Sequence, residues 1–323
     1  MRMASGAHTI AGRTGVAWAL LASWTLGAWA AEFPERPVQM VVPFAAGGGL
    51  DQNARSFAQS FGEALKTSVA VVNRDGAAGS IGLQSVASAR PDGYTLAFTP
   101  AVSLTSEPHR LKSIQYRLES FRPVCQVFDN IFAIVVRADS PYRGIGDVLD
   151  DARRNAGAVS YGTSGTGSIP HLGGADIELA AKVQLTHVPY KGDGPMLQDV
   201  LAGRLNFGAM LASSVSAQVQ AGTLRLIAVF ADRRHPGFPG VPTLTEAGVP
   251  VVQLSFGGVL APADTPAASM ATLEAACERA VRASAYREWA GRAGQVVDYQ
   301  PGAAFADRLR QDSSAKAATL KRL

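Results

Sequence analysis

Twice in this chain an apolar run of strand length ends in a glycine-rich loop that opens a helical pattern. The first is Ala46-Gly47-Gly48-Gly49-Leu50-Asp51, after the run 38–44, and the second is Tyr161-Gly162-Thr163-Ser164-Gly165-Thr166-Gly167-Ser168. A helix that follows a strand carries the chain back to start a parallel neighbour, so repeated units of this kind build α/β sheets with helices on their faces. Each helix start also exposes unpaired N–H groups and the positive end of the macrodipole. Two such loops facing one another can hold an anion without any Arg or Lys.

The rest of the chain extends the pattern. After the first loop, Ala54, Phe57, Ala58, Phe61 and Leu65 keep the spacing of one buried helix face, and Asp51 stands where its side chain can cap the N–H groups ahead of it. Residues 69–72 read as the next strand, residues 73–80 lead into a helix running to about Arg90, and residues 94–99 read as a strand after the Pro91-Asp92-Gly93 turn. A second unit repeats the scheme, with strands at 131–136, 159–161, 205–211 and 224–230, a strand closed by 187–192, and helices at 148–155 and 196–202. In the helix after the second loop, Pro170 sits in the first turn, and Leu172, Ala175 and Leu179 supply an apolar face. Residues 251–260 read as a strand returning to the first unit. The expectation is an α/β clamshell of two lobes with two crossings, near residues 130 and 254: lobe one is 32–130 plus 254–323, and lobe two is 131–253.

The first 31 residues are expected to be a cleaved export signal. Arg2 and Arg13 form a basic start, residues 16–29 carry no charge, and Ala28-Trp29-Ala30 offers small residues for cleavage after Ala30 or Ala31. That run of about fourteen residues is short against the roughly twenty of a spanning helix. The formal charge of +4 falls to about +2 without the leader. No stripe of Lys and Arg with interleaved aromatics is present, which excludes nucleic acid as a partner. Charged residues are 17% of the chain against 47% hydrophobic, a balance that excludes disorder. Cys125 and Cys277 either pair, as an oxidising compartment permits, or remain two buried thiols. No spacing of His and Cys calls for a metal, and no cofactor motif is present: the first strand is not followed by GxGxxG, and there is no Walker lysine.

Six segments, VPFAAGGGLDQNAR, VVNRDGAAGSIG, ARPDGYTLAFTP, YGTSGTGSIPHL, HVPYKGDGP and VPTLTEAGVP, stand in an order and spacing that resembles the Bug family, the periplasmic receptors of tripartite tricarboxylate transporters, over nearly all of the mature chain. The resemblance implies a type II periplasmic-binding-protein fold that captures a small carboxylate and delivers it to membrane transporter subunits. It further implies that the carboxylate is held by backbone N–H groups, hydroxyls and waters of the two loops. Residue by residue this points to Phe44, Ala46, Gly47, Gly48 and Asp51 in lobe one, with Ser80 from the neighbouring loop, and to Thr163, Ser164, Gly165, Thr166 and Ser168 in lobe two.

Two departures from the family pattern bear on the ligand. Leu50 stands where many members have Thr, and Ala209-Met210 stands where many have Phe-Asp, so no carboxylate is available there to balance an ammonium. The expected ligand is therefore amine-free, a dicarboxylate or an aromatic carboxylate, with its body against Phe44, Leu50 and Met210. The protein is expected to be a periplasmic monomer without catalytic residues. Two rivals are an exported hydrolase using Ser164, for which no GxSxG elbow exists, and a receptor acting on a membrane sensor.

Overall fold

The computed structural model describes residues 33–321, so the expected leader lies outside the described residues. The first part of the chain runs β1 (Val38–Val42), α1 (Gly49–Leu65), β2 (Val69–Asn73), α2 (Ser80–Ala87), β3 (Thr95–Pro100), α3 (Val102–Thr105), α4 (Glu107–Arg110) and β4 (Phe121–Asp129). The middle runs β5 (Phe132–Arg137), α5 (Ile145–Arg154), β6 (Ser160–Thr163), α6 (Ile169–Ala181), β7 (Thr186–Pro189), α7 (Asp193–Leu201), β8 (Phe207–Leu211), α8 (Ser216–Gln220) and β9 (Leu224–Val229). The last part is β10 (Phe256–Pro262), α9 (Ala267–Arg282), α10 (Ser284–Ala293), β11 (Val296–Pro301) and α11 (Gly302–Leu320).

These strands form two sheets, one of six in the order β11-β4-β10-β3-β1-β2 and one of five in the order β7-β6-β8-β5-β9. The chain leaves the first sheet between β4 and β5 and returns between β9 and β10, which gives two α/β lobes joined by two crossings. Strands β1, β2 and β3 are parallel, so their loops emerge at one edge, while β10 runs antiparallel to both β3 and β4. That edge is where an α/β sheet presents ligands to its loops.

Alternation within β1 shows why the sheet is covered on both faces. Val38, Met40 and Val42 enter a core with Phe57, Phe61, Leu273 and Tyr286 from α1, α9 and α10. Val41 points the other way, into a core with Leu83, Leu104 and Phe305 from α2, α3 and α11. Cys125 of β4 and Cys277 of α9 are joined in a disulfide, with Cα atoms 6.5 Å apart, which ties a helical layer to the sheet. No helix of the described residues is long and apolar enough to cross a membrane.

Several local expectations shift. Helix α1 begins at Gly49, with Gly48 as its N-cap, so Asp51 lies inside the first turn and turns back toward the loop instead of capping residues ahead. The return strand starts at Phe256, five residues later than the apolar run suggests. Helix α2 ends at Ala87, short of Arg90, and follows a 3-10 turn, Ala77–Gly79. On α6, Leu172 is buried but Leu179 is 59% exposed. The packing face instead uses Gly173 and Gly174, where added Cβ atoms would lie 2.5 Å from Phe230 and 2.4 Å from Tyr161. Close approach of helix to sheet at these glycines joins buried Ile169, Leu172 and Ile177, and Leu179 is not part of the face.

Candidate functional site

The first loop leaves β1 and stays open to solvent: residues 45–49 are exposed, and Gly47 adopts φ +82°. Beneath it the buried Asp51 carboxylate accepts the Gly47 N–H at 2.8 Å, Arg55 Nε at 2.9 Å and Asn73 Nδ2 at 2.9 Å. Asn73 Nδ2 also donates to the Phe44 carbonyl. Burial pushes the Asp51 pKa up, but these donors outweigh it and hold the carboxyl below its ordinary value. Asp51 is thus the anchor that shapes the loop. Among the described residues the N–H groups of Gly48, Gly49 and Leu50 have no hydrogen-bond partner.

The second loop is bonded within its own lobe. Gly165 N–H donates to Thr163 Oγ1, Gly167 N–H to His171 Nδ1 at 3.0 Å, and Ser168 N–H to the Gly165 carbonyl. Thr163 Oγ1 lies 2.7 Å from His187 Nε2, and the His171 and His187 rings stack with centroids 4.1 Å apart. Burial first, and the charge of His171 second, push the His187 pKa down to about 4; burial and then Arg110 lower that of His171. Both imidazoles are therefore neutral acceptors or donors near pH 7. Ser164 makes no hydrogen bond to either histidine among the described residues, so no nucleophile and base pair is assembled there.

Between the edges of the two sheets lies a cavity of about 460 Å³. Phe44, Gly49, Leu50, Gln52 and Asn53 line it from the first loop and α1, with Pro100 and Phe128 at strand ends. Leu211, Ser213 and Ser214 face them from the end of β8, and Trp289, Ala293 and Gln295 close the α10 side with Asn130 of the crossing. None of these side chains is charged. Asn53 is held by Tyr286, whose hydroxyl donates to its Oδ1 at 2.8 Å, which leaves the Asn53 amide N–H groups for the cavity.

Of the expected site residues, Phe44 and Leu50 line this cavity, and Ala46, Gly47 and Gly48 form the exposed loop at its rim. Thr163 is fully buried, and Ser164, Gly165, Thr166 and Ser168 sit in the second loop without lining the cavity. Ser80 is buried and donates to the Ala77 carbonyl. Met210 departs from expectation: it is fully buried in the core with Met196 and Val200, because alternation along β8 turns it away from the cavity, and its neighbour Leu211 takes that place. Trp289, Phe128, Asn130 and Gln295 carried no sequence signal, since they come from a distant helix and from strand ends that only the fold gathers.

At the first crossing, Asp129 joins Arg308 Nη1 at 2.9 Å and Arg233 Nη2 at 2.5 Å, and Asp298 shares both arginines. Arg233 follows β9, so the pair links the second lobe to the first beside the hinge. On the opposite flank Arg110 of α4 lies against Gly167 of the second loop, where an added Cβ would be 2.9 Å from its Cζ.

A family model described as the tripartite tricarboxylate transporter family receptor, TctC, matches residues 53–322. The chain belongs to this family. It is 36% identical over 275 residues to the UPF0065 protein in the tcbD-tcbE intergenic region of Pseudomonas sp. (strain P51), covering 83% of this chain and 81% of that relative. Among solved structures, a TctC solute binding protein from Polaromonas superposes with a TM-score of 0.83 at 30% identity, covering 90% of this chain and 100% of that one. Two Rhodopseudomonas palustris proteins, each 27% identical, follow the same fold. One was solved with adipate (TM-score 0.75; 90% of this chain, 97% of that one), and the other is MatC with bound malate (TM-score 0.71; 89% and 99%). The TctC-family chain is a two-lobed, type II periplasmic solute-binding protein, as the sequence resemblance implies.

Proposed function

We propose that this TctC-family receptor is exported on its leader, captures an amine-free carboxylate in the cleft, and presents its closed form to membrane transporter subunits as a monomer. The observation that carries the ligand class is the uncharged cavity beside the first loop. Free amide N–H groups at its rim suit a carboxylate. No acidic side chain lines it to pair with an ammonium, and the nearby Asp51 carboxylate is already committed to Gly47, Arg55 and Asn73. Phe44, Leu50, Phe128 and Trp289 offer an apolar wall for the ligand body. The relatives with adipate and malate support an acid of this class.

The contributing residues are Phe44, Ala46, Gly47, Gly48 and Leu50 from lobe one (32–130 plus 254–323). From lobe two (131–253) they are Ser164, Gly165, Thr166 and Ser168. Asp51 and Thr163 shape the two loops, and Ser80 closes the turn that precedes α2. The division of strands between two sheets supports this assignment of lobes. Ligand held by one lobe gives the other a partner to close upon, so binding shifts the population toward the closed form.

A thermal-shift panel of malate, adipate, benzoate, aspartate and glutamate tests the reading. An acid present at about 100 times its Kd adds about 2.7 kcal/mol of stability. Stabilisation by malate, adipate or benzoate but not by the amino acids is the expected result, with compaction in small-angle scattering. Stabilisation by aspartate or glutamate alone overturns the amine-free assignment.

A further inference from the structure

The second loop has fewer glycine amides to offer an anion than its sequence suggests, although among the described residues its Ser164, Thr166 and Ile169 N–H groups have no hydrogen-bond partner. Its Gly165, Gly167 and Ser168 N–H groups are bonded internally, and Pro170, the second residue of α6, has no N–H to give. His171 and His187 beside it bring no charge at neutral pH. A carboxylate arriving there would meet neutral donors only, unless positive charge came from elsewhere.

Arg110 supplies it. Its side chain is 33% exposed, and one edge is fixed because Nη1 donates to the buried Glu107 Oε1 at 2.8 Å. The guanidinium is laid on Gly167, where an added Cβ would be 2.9 Å from Cζ and Nη2 and 3.0 Å from Nε. Among the described residues the Nε and Nη2 edge makes no hydrogen bond. That edge is the pair of parallel N–H groups that fits a carboxylate. Glycine is required beneath it, since Gly167 combines this contact with φ +77°. Arg110 also belongs to the segment between β3 and β4 of the first sheet, whereas Gly167 lies between β6 and α6.

We propose that Arg110 is a specificity-determining residue: it reaches from the first lobe to the second glycine loop, grips one carboxylate of the bound acid there, and thereby selects dianions over monoanions. The inference rests on the carboxylate-binding reading above. The two ends of a diacid are then held differently, one by the free amides of the first loop and one by the guanidinium. A monoacid uses the first loop alone.

The test is a cycle of two ligands and two proteins, with adipate and hexanoate titrated calorimetrically into the mature protein and its Arg110→Gln variant. Adipate is expected to lose about 10- to 100-fold in affinity in the variant, with hexanoate changed by less than about threefold. Arg110→Lys should recover part of the adipate affinity. Because Arg110→Gln leaves Glu107 buried without its cation, the Glu107→Gln/Arg110→Gln double variant provides a folded comparison and should show the same selective loss. Equal losses for both ligands mean that Arg110 only positions the loop, and unchanged adipate affinity means that it touches no ligand; either result overturns the proposal alone. Binding of neither acid, nor of malate or benzoate, to the unaltered protein removes the carboxylate reading and this inference with it.

Discussion

Both glycine-rich loops leave a parallel strand and enter a helix, yet they are held in shape by different chemistry. The first keeps residues 45–49 exposed and is shaped from beneath by one buried carboxylate, Asp51, bonded to Gly47, Arg55 and Asn73. The second folds its amides inward onto Thr163, His171 and its own Gly165 carbonyl, over a pair of stacked neutral histidines. A charged anchor beneath the first loop leaves Gly48, Gly49 and Leu50 N–H groups free, whereas neutral acceptors in the second engage Gly165, Gly167 and Ser168 and leave Ser164, Thr166 and Ile169 without a partner among the described residues. Similar glycine spacing therefore does not mean similar binding chemistry, and the two loops should respond differently to substitution and to acid.

The largest effect expected separates the lobes as well as the loops. The disulfide ties β4 to α9 in the lobe of the first loop, and the second sheet has no counterpart among the described residues. Replacing Cys125 and Cys277 by Ala should lower stability by up to about 5 kcal/mol in the chain-entropy model, read as a fall in the denaturation midpoint. Hydrogen exchange should rise first in β4 and α9; uniform acceleration across both sheets would remove the claim that the lobes are stabilised separately.

Next, Asp51→Ala removes the acceptor of the Gly47 N–H, of Arg55 Nε and of one Asn73 N–H and should cost about 2 to 3 kcal/mol, together with most ligand affinity. If binding survives intact in a folded Asp51→Ala protein, the first loop does not need its anchor. Gly167→Ala forces a side chain into a positive-φ position under Arg110 and should cost about 1 to 3 kcal/mol. Urea midpoints give the figure, and a cost below about 0.5 kcal/mol would show that the second loop is looser than its bonds imply.

Acid provides the smallest but most discriminating comparison. His187 has a folded pKa of about 4 against an ordinary 6.5, so the unfolded chain takes up its proton first. Its contribution is fully present above about pH 6.5 and is lost as pH falls toward 4. Asp51, held below its ordinary 3.8, loses its contribution only at lower pH. Stability of the unaltered protein should therefore fall between pH 6.5 and 4.5 with a slope that becomes shallower in His187→Gln. Identical slopes for the two proteins would refute a role for the second loop in acid sensitivity.

Much of the architecture is written in local pattern. The apolar face of α1 from Ala54 to Leu65, the strand before each glycine loop and the two crossings are all readable because strand and helix periodicities differ and because glycine marks the turns. The antiparallel placement of β10 between β3 and β4 is not readable in this way, since a buried central strand is apolar on both sides whichever direction it runs. The α6 face is only partly readable for a related reason: Leu172 is buried as expected, but close approach through Gly173 and Gly174 leaves no hydrophobic signature and Leu179 is exposed.

For the site, the exposed first loop and the helix start it opens were legible from its glycines. That Asp51 shapes this loop, that Met210 faces the core while Leu211 faces the cavity, that Trp289 lines the cavity and that Arg110 lies on the second loop were not. Backbone conformation and burial periodicity are properties of neighbouring residues and leave their mark in the order of the chain. Which side chains meet across a cleft depends on how whole sheets and helices are stacked, through contacts spanning more than a hundred residues, and no short stretch of sequence contains that information.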